Sequence, residues 1–442
     1  MVKVGPSKSY LKDGSAALFC CRDLENRNLS DSDPTPDNAM NILMLTDSFL
    51  PHAGGSREYY YNLYRHLAEF EDTRVTIATK KVPGWEEFDR RVSSDSFGIV
   101  RWLKPLSTWR LHELPKGLGP FLHAAWHIHK ENPEILHAGD LYPQAVSALI
   151  LKKMTGLPYL AYCHGEDIAL TDRYKYQPRV RDKIYLGADA VVANAEFARK
   201  GLLRIGVPES HIVKITPGVD LDRFSPRRTR EDLIEKWNLK GKKVVLTVAR
   251  LVSRKGHDLV LRAIARLTRE LPDAVYLIVG RGPEQLRLQK LAAELGIMDA
   301  VRFAGHVPEE LLPDCYNLCD VFAMLNREEA NGDLEGFGMV FLEANAMGKP
   351  VIGGRSGGTA DAILEGKTGF RVDASQLDEL TATLRMLLTD TNLRCQLGNA
   401  GRDRVQREFQ WRDRSRMLHD VSMEICKARS REKRTAVLAS PE

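Results

Sequence analysis

Long apolar runs are missing from this chain. No stretch approaches the roughly 18 uninterrupted apolar residues that a membrane span needs, and the first residues lack the charged-then-apolar profile of a secretory signal. The expected location is therefore cytoplasmic. Cysteine is sparse: seven are scattered over 442 residues, an odd number that argues against a disulfide framework. Cys315 and Cys319 lie one helical turn apart with no second Cys/His pair nearby, so they do not read as a zinc site. One-sided charge is missing too. Lys and Arg exceed Asp and Glu by 64 − 59 = 5, an excess that suits an anionic small substrate or an anionic membrane surface and is too small for nucleic acid.

Two nucleotide signatures are also incomplete. Gly366-Lys367-Thr368 resembles the end of a phosphate loop, but the glycine required five positions earlier is Asp361. Gly280-Arg281-Gly282-Pro283 lacks the third glycine of a dinucleotide fingerprint and reads as a tight turn lining a cleft. Two Asp-x-Asp pairs, Asp31/Asp33 and Asp220/Asp222, fall in a polar N-terminal stretch and in an interdomain hinge. Neither sits on a strand-end loop, so no metal is expected.

Composition and periodicity describe a soluble α/β chain. Residues 1–39 crowd Ser, Asp, Pro and Asn (NLSDSDPTPDN) and read as a disordered extension. Order is expected from the buried-strand run at 41–45, followed by the loop DSFLPHAGGS and a helix with Tyr60, Leu63, Tyr64 and Leu67 on one stripe. The unit repeats with candidate strands at 75–79, 135–138, 159–163, 190–193 and 212–215. After a turn-rich hinge near 218–226 a second series starts with VVLTVA (244–249) and VYLIVG (275–280), a helix over 284–295, and further strands in VRF, DVFAML and PVIGG. The expected architecture is two doubly wound domains, 40–222 and 223–408, facing each other across a cleft, then a C-terminal helix and basic tail over 409–442. Such sheets bind ligands beyond their strand C-termini.

Three stretches on strand-end loops hold the chemistry. Arg250 and Lys255 (RLVSRKG), directly after a strand, can both reach one diphosphate; the bland reading is a solvated basic loop. In Glu335-Gly336-Phe337-Gly338-Met-Val-Phe-Leu-Glu343, glycines precede a helix whose free N–H groups and dipole favour an anion. A carboxylate on each side of that seat is placed to bind hydroxyls, although Glu343 taken alone reads more readily as an ordinary exposed helix residue. His164, in CHGED after a strand, is either a structural hydrogen-bonder or a cleft residue.

Arg250…Lys255 followed by a Glu-x7-Glu pair, together with PHAGG, YCHGED, ITPGVDLDRF and EGFGMVFLEANAMGKPVIGGRSGG, resembles glycosyltransferase family 4 from residue 41 to about 410. Within the family the similarity is strongest to enzymes of the phosphatidylinositol mannoside mannosyltransferase kind. The resemblance implies a GT-B architecture of two Rossmann-like domains and transfer of a hexose with retention by front-face attack, without metal or other cofactor. It implies that Arg250 and Lys255 bind the donor diphosphate, and that Glu335 contacts sugar hydroxyls. Amides of Gly336, Phe337 and Gly338 would hold the distal phosphate, and Glu343 the ribose. His164 would lie near the sugar, Gly54 and Gly55 would approach the phosphate from the first domain, and His306 and Val307 would contact the base. The implied donor is GDP-mannose, with a UDP-sugar as alternative; the implied partner is a lipid-linked or polysaccharide acceptor in envelope assembly. A GT-B-like sugar-nucleotide epimerase and a non-catalytic membrane-associated descendant are further alternatives.

Four of six tryptophans, Trp85, Trp102, Trp109 and Trp126, fall among Arg101, Lys104, Arg110 and Lys116. The mixture suits an anionic membrane interface at the inner face of the cell membrane, or else some of these rings pack in the first domain's core. A second basic cluster, Arg173, Lys175, Arg179, Arg181 and Lys183, faces either an anionic acceptor or solvent.

Overall fold

The computed structural model describes residues 39–51, 54–102, 118–169 and 177–438. Except for its last residue, the expected extension 1–39 lies outside the described residues, as do Trp109, Lys104, Arg110, Lys116, Arg173 and Lys175.

The apolar runs become strands with both faces covered. The first sheet contains β1 (Met40–Leu45), β2 (Thr73–Lys80), β3 (Phe97–Trp102), β4 (Ile135–Ala138), β5 (Tyr159–Cys163), β6 (Ala190–Ala193) and β7 (Ile212–Lys214). Its order is β3-β2-β1-β4-β5-β6-β7, parallel at every pairing. The second sheet contains β8 (Lys243–Val248), β9 (Ala274–Val279), β10 (Val301–Gly305), β11 (Val321–Met324), β12 (Val351–Gly354) and β13 (Gly369–Val372), ordered β10-β9-β8-β11-β12-β13, again all parallel. Every residue of β5 and β9 is buried, as expected for strands sandwiched between helices. The expected doubly wound pair is what the chain forms. The strands β3 and β13 were not anticipated: FGIVRW and GFRV mix Gly and Arg into short edge segments, and neither shows an uninterrupted apolar run.

Within the 409–442 expected for a helix and basic tail, the C-terminal helix runs Trp411–Leu438, and it does not stay with the second domain. Trp411, Leu418 and Val421 enter the first domain's core beside Tyr59, Tyr60 and Leu63. Ser415 Oγ donates to the Leu63 carbonyl at 2.7 Å, and His419 Nε2 lies 2.9 Å from Asp72 Oδ1. The chain therefore crosses between domains twice, and the crossings touch: Val219 N donates to the Phe409 carbonyl at 2.8 Å.

Candidate active site

In each sheet the winding direction reverses once, between β1 and β4 and between β8 and β11. Loops leaving the C-terminal ends of such strand pairs diverge and open a crevice. The RLVSRKG loop leaves β8, and the loop that ends in Glu335 leaves β11. Neighbouring strands thus bring residues eighty positions apart into contact.

That contact is an ion cluster. Lys255 Nζ donates to Glu335 Oε2, and Arg254 Nη1 donates to the same oxygen at 2.9 Å. Arg254 Nε also lies 3.3 Å from Asp333 Oδ1. Glu335 and Arg254 are each only 9% exposed. Burial acts to raise the Glu335 pKa, but the Lys255 and Arg254 charges outweigh it and hold the carboxyl below its ordinary range. Burial lowers the Lys255 pKa, with the Arg254 and Arg250 charges acting the same way and Glu335 opposing them. Arg250 itself is exposed on the loop. The sequence pattern singled out Arg250 and Lys255; Arg254, beside Lys255, is the second cation that the structure joins to Glu335.

Gly336 and Gly338 follow, and at each a side chain would meet an obstacle. A Cβ at Gly336 would lie 2.7 Å from the His164 carbonyl oxygen, so this glycine lets the second domain close onto the first. Gly338 has φ +89° and precedes the helix Met339–Ala346, whose first turn receives no side-chain cap. Phe337 is buried in the second domain's core, so only its backbone can serve a ligand. On that helix Glu343 accepts a hydrogen bond from the buried Tyr316 hydroxyl at 2.5 Å, and burial raises its pKa.

The first domain supplies the facing wall. His164 follows β5, with its ring stacked on Tyr162 and edge-on to Tyr59 and Tyr60. Its Nε2 lies 2.5 Å from the Tyr60 hydroxyl, and its Nδ1 lies 3.2 Å from Asn194 Nδ2. Because the Tyr60 hydroxyl donates to the Gly139 carbonyl, Nε2 must carry the proton while Nδ1 accepts from the amide. Burial lowers the His164 pKa, so the ring is neutral with both nitrogens engaged. In this arrangement neither ring nitrogen is free to take a proton. Burial raises the pKa of Glu166, two residues on, with the Arg254 charge opposing it.

Gly54 and Gly55 are exposed at the start of the helix Gly55–Leu67. One turn in, Glu58 is raised to about 7 by burial, by Glu309 and by Glu343, against the opposing charge of Arg223. Raising a carboxyl's folded pKa above its unfolded value costs stability once pH passes the unfolded value, with the full cost present above the folded one. Glu58→Gln should therefore raise the melting temperature at alkaline pH, with the gain shrinking through about 7 and absent below 4.5. A pH series of melting curves checks this; a gain independent of pH would contradict it.

Two family models match the chain: Glycosyltransferase Family 4 over residues 53–223 and Glycosyl transferases group 1 over residues 229–404. The chain belongs to glycosyltransferase family 4. Among its curated relatives is the GDP-mannose-dependent alpha-(1-6)-phosphatidylinositol monomannoside mannosyltransferase of Mycolicibacterium smegmatis. It is 31% identical over 388 residues, covering 86% of this chain and 97% of the relative. A sulfoquinovosyl transferase of Arabidopsis thaliana is 28% identical, covering 84% of this chain and 70% of the relative. Solved structures share the fold. Anabaena HepE, in complex with UDP and glucose, matches with TM-score 0.73 at 18% identity, covering 87% of this chain and 100% of its own. The sucrose-phosphate synthase of Thermosynechococcus elongatus matches with TM-score 0.73 at 24% identity, covering 88% of this chain and 100% of its own. The chain is thus a GT-B transferase.

In this glycosyltransferase the remaining sequence candidates separate. His306 and Val307 follow β10 directly; His306 is exposed and Val307 is buried in the second core. Arg281, in the turn between Gly280 and Gly282, ties to the β8 loop through its carbonyl, which accepts from Leu251 N at 3.0 Å. Asp220 caps a turn, its Oδ1 accepting from Asp222 N and Arg223 N at 3.1 and 2.9 Å. Among the described residues no group of three or more His, Cys, Asp or Glu is arranged to hold a metal ion. Cys315 and Cys319 are buried. Among its described residues the Trp-and-basic segment divides, with Trp102 packed against the first domain's core and Trp126 exposed. Trp102 ends β3, and Arg101 is buried in a bidentate pair with Asp89 at 2.7 and 2.8 Å. Arg181 of the second basic cluster is likewise buried, against Asp182. Among the described residues no helix is long and apolar enough to cross a membrane.

Proposed function

We propose that the enzyme transfers mannose from GDP-mannose, with retention, to a lipid-linked or polysaccharide acceptor in cell-envelope glycan synthesis, acting on the cytoplasmic side at the inner face of the membrane. The observation behind the reading is the Lys255–Glu335–Arg254 cluster at the second sheet's switch point, with exposed Arg250 beside it and His164 opposite. Support for the donor comes from the relatives whose names specify GDP-mannose and phosphatidylinositol mannosides.

In this reading Glu335 holds Lys255 until a diphosphate arrives. The phosphates then draw Lys255 and Arg250, and the freed Glu335 oxygens accept from the sugar's hydroxyls. Amides at Gly336, Phe337 and Gly338 and the helix start take the distal phosphate. Glu343 binds the ribose, and His306 and Val307 flank the base. Gly54 and Gly55 close from the first domain onto the phosphate. Preorganised positive potential meets the charge that develops on the departing nucleotide without reorganising at the moment of bond cleavage. A phosphate oxygen of the donor accepts the acceptor's proton on the same face, and His164, with both ring nitrogens engaged, orients the wall. Domain closure completes the arrangement.

Incubation with labelled GDP-mannose, UDP-glucose and UDP-N-acetylglucosamine, with a membrane lipid extract and EDTA, tests this. Label should pass from GDP-mannose to lipid, undiminished by the chelator. Transfer only from a UDP-sugar would replace the donor; an altered nucleotide sugar without acceptor would indicate an epimerase; strict metal dependence would contradict the proposed charge neutralisation.

A further inference from the structure

Eleven large hydrophobic side chains are exposed among the described residues, and six of them fall on three helices of the first domain. These helices, Leu118–Glu131, Val146–Thr155 and Gln177–Gly187, pack side by side, the second touching both others. Their inner faces fill the core with Ala124, Ala148, Leu151, Ile184 and Tyr185. Their outer faces present Leu122 and Trp126, Ile150 and Met154, and Val180 and Leu186, exposed by 36 to 69%. The first two pairs have i,i+4 spacing, which stacks each pair on one side of its helix. By contrast, Leu286, Met298, Leu364, Met386 and Met417 are exposed singly on separate elements, as on any soluble surface.

Charge on these outer faces has one sign. Among the described residues of the three helices, every exposed charged side chain is Lys or Arg: Lys130, Lys153, Arg179 and Lys183. The two acids, Glu131 and Asp182, are partly buried and paired with Lys130 and Arg181. Lys130 Nζ lies 5.5 Å from the centroid of the Trp126 ring, an indole flanked by a cation in the manner of interfacial anchors. Lysine is depleted from protein–protein interfaces, whereas a bilayer with anionic headgroups accepts apolar side chains below and ammonium groups above.

We infer that this three-helix face is where the enzyme docks onto an anionic lipid bilayer, Trp126, Met154 and Leu186 entering the interface and the four cations meeting headgroup phosphates. Of the tryptophans singled out in the sequence, Trp126 belongs to this face, while Trp102 packs against the first domain's core. It rests on the transferase reading only in that a membrane-borne acceptor gives the docking a purpose, since the contact is a property of the bare protein.

The test is sedimentation with vesicles of phosphatidylcholine, alone or with phosphatidylglycerol, at low and high salt, without donor or acceptor. Wild type should sediment with the mixed vesicles and lose them in high salt. Trp126→Ser/Met154→Ser/Leu186→Ser should bind both vesicles poorly. Lys153→Gln/Arg179→Gln/Lys183→Gln should weaken binding to anionic vesicles roughly fivefold per cation removed, as ~1 kcal/mol per basic residue at such a surface implies. Melting curves like wild type confirm that the variants fold. Wild type that ignores anionic vesicles, or variants that bind as well as wild type, overturn the inference. So does a lipid-free dimer that the apolar variant dissolves, which would give the face to a second copy. Vesicle binding through these residues by a protein that uses no nucleotide sugar would leave this inference intact and sink the transferase reading's donor chemistry alone.

Discussion

Lys255→Ala should lower the transfer rate roughly 10²- to 10³-fold, the loss typical when one preorganised electrostatic donor is removed from a site where charge develops. Lys255 is buried at the switch point with its ammonium on Glu335, so its hydration was given up on folding and is not available to screen it. An incoming diphosphate meets a cation shielded from water and held by Glu335, and low local dielectric strengthens the interaction once the phosphates draw it over. Arginine at this position should recover only part of the rate, because its planar fork does not replace a compact point charge. Initial rates at saturating donor check the prediction; a rate within a factor of about three of wild type would remove Lys255 from the chemistry.

Glu335→Gln should cost transfer on the order of 10²-fold and stability as well. The glutamate is the shared acceptor for two buried cations, and breaking a buried pair by removing one partner typically costs ~3–5 kcal/mol, since the other charge stays uncompensated. The stability part has a pH signature. Glu335's carboxyl is held below its ordinary value, so its contribution is fully present above 4.5 and is lost as pH falls through the depressed folded value. Wild type should therefore melt well above the variant at neutral pH, with the gap closing on acidification below 4.5. A gap that stays constant with pH would mean that shape, not charge, sets the effect. Transfer that survives in a folded Glu335→Gln protein would remove the sugar-hydroxyl role.

Much of this was legible in the sequence, for physical reasons that differ by element. A strand buried on both faces must be apolar throughout, so VYLIVG and YLAYC announce themselves, and the loops after them are cleft loops by topology. The Glu335 stretch was readable because glycines before a helix leave few other purposes. Side-chain direction on an irregular loop was not readable. Arg250 and Arg254 have equal claims in RLVSRKG, and only the β11 loop crossing over β8 shows Arg254 turned in to Glu335. Long-range pairing was equally hidden. Arg101 reads as a surface cation until Asp89, twelve residues earlier, is folded against it. Nothing local to His164 says that Tyr60 and Asn194 will engage both ring nitrogens. The terminal helix shows an apolar stripe, but which domain receives it depends on a crossing at 409–411 that no periodicity encodes.

All of the chemistry proposed depends on cations supplied by the chain answering the charge of a nucleotide diphosphate. Calorimetric titration of GDP in the presence of EDTA, into wild type and into Lys255→Ala, reads this without needing the acceptor. Binding by wild type that weakens at least about tenfold in the variant, a loss of ~1.4 kcal/mol, is the expected result. Equal affinities, or binding by wild type only after a divalent ion is restored, would contradict it.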